Sequence, residues 1–241
     1  MAGRWQTAAM TSLLLLPGLA CDAGVWRAQL PVLATRHVVR VGDAHFRFDR
    51  LPEMAAALLA ENPGRHVLIG ASMGGMLALE MQRQAPARVA AMALLGSSAR
   101  ADTPELIRLR SQACVLFEQG RADEVLRANT LFAFHPNSMH DRALVDDYLA
   151  MLNRAGAAAL IRQNRAVMAR IDSRPLLPQV ACPVLVACGE ADQLTPPEQA
   201  REMAAALPAA RLEIVPGAGH MLTLEQPARI NALLLDWLRT L

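Results

Sequence analysis

Val67-Leu68-Ile69-Gly70-Ala71-Ser72-Met73-Gly74-Gly75-Met76 is the stretch on which the reading of this chain turns. The apolar run Val67 to Ile69 reads as a buried strand, and a helical pattern begins at Gly75. Between them stands Gly70-x-Ser72-x-Gly74. In a strand–turn–helix context this pattern is a nucleophile elbow: the turn is so sharp that the serine is held in a strained conformation with its hydroxyl exposed. Side chains at the two flanking positions would collide with a neighbouring strand and helix, which explains both glycines. Gly75 adds room for close helix–strand packing. The plain alternative is a glycine-rich turn, so the surrounding chain has to decide.

Working outward, 241 residues with 53% hydrophobic composition allow one α/β domain with a large core, with or without an insertion. Every basic residue is arginine, which excludes Schiff-base chemistry and a P-loop lysine. The net charge of +2 is small and the arginines are scattered, so no nucleic-acid partner is expected. Cys21, Cys114, Cys182 and Cys188 form no C-x-x-C, and their spacing suits neither zinc nor a disulfide framework. They read as reduced thiols of a cytoplasmic protein. Cys21 lies near the elbow as a small space-filler. Arg4 and the run Ala8 to Cys21 could pass for a signal peptide or lipoprotein box. Gly18 stands where a lipobox wants an apolar residue and Pro17-Gly18 interrupts the run, so a buried strand is the preferred reading. No other segment is long and apolar enough to cross a membrane.

Ser12 to Leu16 is a short apolar run ended by Pro17-Gly18, a buried parallel strand meeting a loop. Asp22 to Ala34 reads as a helix with Trp26, Leu30 and Leu33 on one face. His37 to Val41 is a strand, and Leu51 to Glu61 a helix stopped by Asn62-Pro63-Gly64. His66 to Ala71 is the elbow strand, Gly75 to Gln84 its helix, and Val89 to Leu95 the next strand. Such alternation predicts a doubly wound, mostly parallel sheet. It breaks between Thr103 and Arg170, where helices are predicted over Pro104–Glu118, Asp123–Leu131, Asp141–Arg154 and Ala157–Arg170. An all-helical block between two strands reads as an inserted cap. Strands resume at Pro183 to Cys188 and Arg211 to Val215, separated by a helix over Pro197 to Ala206. A closing helix runs from Gln226 to Leu241.

A serine hydroxyl needs a base to take its proton and a carboxylate to orient that base. In an open α/β sheet these groups belong on loops after the carboxyl ends of strands. Asp192 follows the strand ending at Cys188, and His220 follows the last strand, behind Gly217 and Gly219. The order Ser72, Asp192, His220 is serine–acid–histidine. Glu190 and Asp102 are rival acids. Asp192 could instead be a turn or N-cap residue, although Thr195 before Pro196-Pro197 is the better cap. His37, His45, His66, His135 and His140 have no motif around them and read as structural or solvated.

The runs CPVLVACGEADQLTPP and VPGAGHMLTLEQP, with the elbow, resemble the α/β-hydrolase superfamily, in its small capped group of esterases, enol-lactonases, carbon–carbon hydrolases and cofactor-free perhydrolases. The likeness covers nearly the whole sheet and is weak in the cap. It implies an α/β-hydrolase fold with a sheet of about six to seven strands. The core is expected over residues 1–99 and 176–241 and a helical lid over 100–175. The resemblance carries the nucleophile to Ser72, the orienting acid to Asp192 and the base to His220, with no cofactor and no metal. Oxyanion donors are expected at the backbone N–H of Met73 and of Leu19. The chain departs from the family in two places. Pro17 stands where relatives carry a histidine that braces the oxyanion loop. Only eleven residues precede Ser12, room for one short strand rather than two. Phe132, Phe134 and Met221 are pocket candidates, and the partner is a small ester-like molecule. A carbon–carbon hydrolase, lyase or perhydrolase, or a non-catalytic small-molecule receptor, are the competing functions.

Overall fold

A computed structural model describes residues 12–241. Residues 1–11, which include Arg4 and the start of the Ala8–Cys21 run and leave room for at most one short strand, lie outside the described residues. The strands are β1 (Ser12–Leu16), β2 (Val38–Val41), β3 (His66–Ala71), β4 (Val89–Leu95), β5 (Val184–Gly189) and β6 (Ala210–Val215). Among the described residues they form one sheet in the order β2-β1-β3-β4-β5-β6, with every pair parallel. Parallel strands need a crossover and are covered on both faces, which is why β1, β3, β4 and β5 are apolar at nearly every position. Side chains alternate between faces. Leu13, Leu15, Val67, Ile69, Ala93 and Leu185 point to one core cluster, and Leu14, Leu16, Leu68, Met92, Leu94 and Val186 to the other. Each fully buried leucine contributes about 1.5–3 kcal/mol over an exposed one.

The second face is covered by α2 (Leu51–Glu61), α3 (Met73–Gln84) and α7 (Pro197–Ala206), with α1 (Leu30–Leu33) on the first. The predicted helix over Asp22–Ala34 is split: a 3-10 turn at Ala23–Trp26 precedes α1. Pro31 lacks an N–H and sits in the first turn of α1, so one helix cannot run through it. Trp26 and Leu33 are still buried as expected. Helix α3 starts at Met73 rather than Gly75, because the turn at Ser72 feeds the chain directly into helical geometry.

After β4 come α4 (Pro104–Glu118), α5 (Ala122–Ala133) and α6 (Arg142–Met168). Thr103 caps α4 and Asp141 caps α6 through their side-chain oxygens. Gly156, at φ 75 and ψ 160, is non-helical and divides α6 into two helical segments, matching the two helices predicted on either side of it. The ends of this block meet: Ser173 N–H donates to the Ala99 carbonyl at 2.7 Å. Buried Asp102 accepts from Arg110 at the start of the block and from Arg170 at its end, each at 2.8 Å. The short α8 (Leu222–Glu225) and α9 (Pro227–Leu238) close the chain and complete the first face with Ile230, Leu234 and Trp237. No described helix is long and apolar enough to cross a membrane.

Candidate active site

The order of the strands places the site. Connections from β1 run outward to β2, and those from β3 run the other way to β4. The loops after β1 and β3 therefore separate at a topological switch point, where open α/β sheets leave a crevice.

Ser72 has φ 53 and ψ −118, a backbone conformation that L-residues rarely adopt. Its N–H donates to the Leu95 carbonyl at 2.8 Å and its carbonyl accepts from the Ser97 hydroxyl at 2.9 Å. Those anchors hold the strained residue, whose conformation costs about 1–3 kcal/mol. The flanking glycines are sterically required. A Cβ on Gly74 would lie 1.9 Å from the Leu16 carbonyl oxygen, and one on Gly70 would lie 2.3 Å from the Gly74 oxygen. Gly75 makes room for Ser97 on the loop after β4, where an added Cβ would meet the hydroxyl at 2.4 Å.

His220 Nε2 lies 2.9 Å from Ser72 Oγ, and His220 Nδ1 lies 2.9 and 3.1 Å from the two Asp192 oxygens. The carboxylate can only accept, so Nδ1 carries the proton and Nε2 turns its lone pair to the serine. Asp192 also accepts the N–H groups of Leu194 and Thr195 and the Thr195 hydroxyl, all at 2.9 Å. Burial alone would raise this carboxyl. The His220 imidazole and the Thr195 donors together outweigh burial and hold it below the usual carboxylate range. Asp192 is thus a turn residue and the histidine's partner at once. Thr195 is not a helix cap, since Pro196 fills that position in α7. The two loops touch closely: a Cβ on Gly189 would sit 2.1 Å from the Gly219 carbonyl oxygen.

The rival acids are used elsewhere. Glu190 accepts the Gly217 N–H at 2.6 Å, and Asp102 is held by its two arginines. The loop after β1 reaches the serine, since a Cβ on Gly18 would lie 3.2 Å from the Ser72 Cβ. Among the described residues, no acceptor is paired with the N–H of Leu19 or of Met73. Both donors are left free for a third party.

The aromatic candidates behave differently from expectation. Phe132, on α5, is 49% exposed. Phe134 has no exposed surface and packs edge-on against Tyr148 at 5.0 Å between ring centroids. The end of the helix turns the first outward and the second into the core. Met221 is buried beside His220, with its N–H donating to the Ala133 carbonyl at 3.1 Å. A cavity of about 240 Å³ lies between α2, α3 and the end of α6, lined by Leu51, Met76, Arg83, Ser98 and Arg170 among others; Ser72 does not line it. All four cysteines are free and buried, and burial pushes the Cys21 thiol up to about 12, so it fills space as read. Among the described residues, no group of three His, Cys, Asp or Glu could hold a metal ion.

Several supporting residues carried no sequence signal. Glu225 accepts the Gly219 N–H at 2.8 Å and the His135 N–H at 2.7 Å, tying the histidine loop to the segment after α5. The single turn of α8 brings this carboxylate back toward His220. On the opposite side of the serine, His45 and Gln163 meet the loop after β1.

A family profile described as alpha/beta hydrolase fold matches residues 11–227. The chain belongs to the α/β-hydrolase family. This hydrolase is 27% identical to the putative carbamate hydrolase RutD of Shigella flexneri, over 95% of its own length and 91% of the relative's. It superposes on a thermophilic esterase from Thermogutta terrifontis with a TM-score of 0.87 at 25% identity, covering 95% of this chain and 90% of that one. An enol-lactonase from Burkholderia xenovorans LB400 shares the fold, with a TM-score of 0.86 at 20% identity over 97% and 93% of the two chains.

Proposed function

We propose that this hydrolase cleaves small carboxylic esters, thioesters or lactones through an acyl-enzyme on Ser72. The observation that carries the reading is the continuous chain of contacts from Ser72 Oγ through His220 to Asp192, at 2.9 Å for each link. Ser72 Oγ attacks the carbonyl carbon as its proton passes to His220 Nε2. The C=O pair moves onto oxygen, and the N–H groups of Leu19 and Met73 receive that oxyanion. His220 returns the proton to the leaving alkoxide, thiolate or enolate as the bond to carbon breaks. Water then repeats the sequence on the acyl-enzyme and releases the acid. Asp192 stays ionised and holds the imidazolium.

Residues 100–175 act as a lid over a core whose described part is residues 12–99 and 176–241. Support comes from the meeting of Ala99 with Ser173, since both ends of the block then leave the sheet at its active edge. Met221, beside His220, is the candidate wall of the acyl pocket. The carbamate named for the Shigella relative is an acyl substrate of the same kind, a carbonyl open to attack by Ser72, and falls within this reading.

The test is labelling with a fluorophosphonate, followed by hydrolysis of a short-chain p-nitrophenyl ester. Wild-type protein should be labelled at Ser72, and Ser72→Ala should lose both labelling and turnover. Persistence of ester hydrolysis in Ser72→Ala would remove Ser72 from the mechanism. A panel that adds a p-nitrophenyl carbamate and a vinylogous diketone ranks the acyl classes, and a preference of several orders of magnitude for the diketone would replace ester cleavage by carbon–carbon cleavage.

A further inference from the structure

The loop after β1 has an unusual backbone and an unusual support. Cys21 N–H donates to the Gly18 carbonyl at 3.1 Å, closing a turn whose central residues are Leu19 and Ala20. Ala20 has φ 60. A turn with positive φ at its third residue normally places glycine or asparagine there, because an L side chain is disfavoured. Alanine holds that conformation here at a steric cost, which contacts from outside the turn can offset.

That support comes from α6. Gln163 has no exposed surface, and its Oε1 accepts the Ala20 N–H at 2.6 Å. Its Nε2 donates to the His45 carbonyl at 2.9 Å. His45, also buried, donates from Nε2 to the Cys21 carbonyl at 2.8 Å. Burial lowers the pKa of that imidazole, against the Cys21 carbonyl and the carboxylates of Asp43 and Asp22, which raise it. Gln163, His45, Ala20 and Cys21 thus form a buried ring of hydrogen bonds at the turn, and both polar atoms of the Gln163 amide are used. The Ala20 N–H belongs to the central peptide of the turn. Its orientation distinguishes the left-handed form from the common right-handed one.

We infer that Gln163 is the positioning residue of the oxyanion loop: by gripping the Ala20 N–H it holds the left-handed turn that presents the Leu19 N–H to Ser72. This rests on the acyl-enzyme reading above. It also explains how the chain works with Pro17 in place of the bracing histidine, since the brace comes from the helices over the site. A further consequence is that docking of α6 and assembly of the oxyanion hole are one event.

The experiment compares wild type, Gln163→Met and the double variant Gln163→Met/Ala20→Gly. Methionine keeps the volume and helix propensity of glutamine but removes both hydrogen bonds. Glycine adopts positive φ as readily as negative, so it restores the turn without the grip. Three quantities are read: the rate of Ser72 labelling by a fluorophosphonate, kcat and KM for p-nitrophenyl acetate, and the melting temperature. Q163M should lower the labelling rate and kcat by about ten-fold or more with KM nearly unchanged, since loss of a whole oxyanion donor costs about 10²–10³. The double variant should recover most of kcat while its melting temperature stays low. Equal losses in the single and double variants, or a fall in melting temperature with kcat intact, would overturn the inference and leave Gln163 a packing residue. Should Q163M not fold, Gln163→Asn, whose amide is too short to reach both partners, takes its place with the same glycine rescue. Absence of Ser72 labelling in the wild type would instead sink the acyl-enzyme reading, and is distinguished by appearing without any substitution.

Discussion

His220 Nε2 meets Ser72 Oγ at 2.9 Å across 148 positions of sequence, and it does so from a loop held on three sides. Asp192 fixes its ring, Glu225 holds the Gly219 N–H and Gly189 lets the neighbouring loop pass. Removing the charge from Asp192 should therefore leave the fold in place and spoil the chemistry. Asp192→Asn would present an amide to Nδ1 and favour the wrong tautomer. We expect kcat for a p-nitrophenyl ester to fall by about four powers of ten, with KM changed little. Steady-state kinetics on the purified variant check this.

The same carboxyl predicts a pH effect on stability. Burial would raise its pKa, but His220 and Thr195 together outweigh burial, so the folded-state value lies below the unfolded one. Its stabilisation is then fully present above the unfolded value of about 3.9 and is lost as pH falls through the folded pKa. Wild-type protein should lose stability progressively below about pH 4, and Asp192→Asn should show a shallower acid slope. Denaturant midpoints measured across that range decide it.

Gly74→Ala should not yield a native protein. The new Cβ would stand 1.9 Å from the Leu16 carbonyl oxygen, which is backbone at the end of β1 and cannot step aside. A cost at or above the upper end of overpacking penalties, about 3 kcal/mol, is expected. Urea unfolding, or recovery in the soluble fraction, reports it.

Asp102→Asn tests how the helical block is attached. The carboxylate is almost fully buried between Arg110 and Arg170, and the Arg170 side chain is itself 8% exposed. Burial already lowers the Arg170 pKa, the mark of a guanidinium short of solvent. Removing the negative partner leaves that charge uncompensated, at a cost of about 3–5 kcal/mol. Thermal unfolding should show a correspondingly lower midpoint.

Phe134→Ala and Phe132→Ala should part company. The first deletes a buried ring packed on Tyr148 and should cost about 3–5 kcal/mol. The second removes a half-exposed ring and should stay within about 0.5 kcal/mol. Neither is expected to alter the preference between short and long p-nitrophenyl esters at a temperature where both variants are folded.

The strands of the sheet and the three residues that meet at its edge are legible in the amino-acid sequence alone. Runs at Ser12–Leu16, His66–Ala71 and Val89–Leu95 form strands with those limits, because a strand buried on both faces is apolar through its interior and the first polar or turn-forming residue marks where it ends. Ser72, Asp192 and His220 each follow a strand within a few residues, so chain order alone puts them on one edge of a parallel sheet. The residues that support them are not legible in this way. Gln163, His45 and Glu225 act through contacts spanning 143, 24 and 90 positions, and a glutamine inside an amphipathic helix looks like any solvated one until its neighbours are known. Phe132 and Phe134 differ by two positions, and only the packing of α5 decides which faces solvent. Local pattern determines what a segment becomes; the direction in which each side chain meets a distant one is a property of the packed layers, and the grip of Gln163 on Ala20 exists only there.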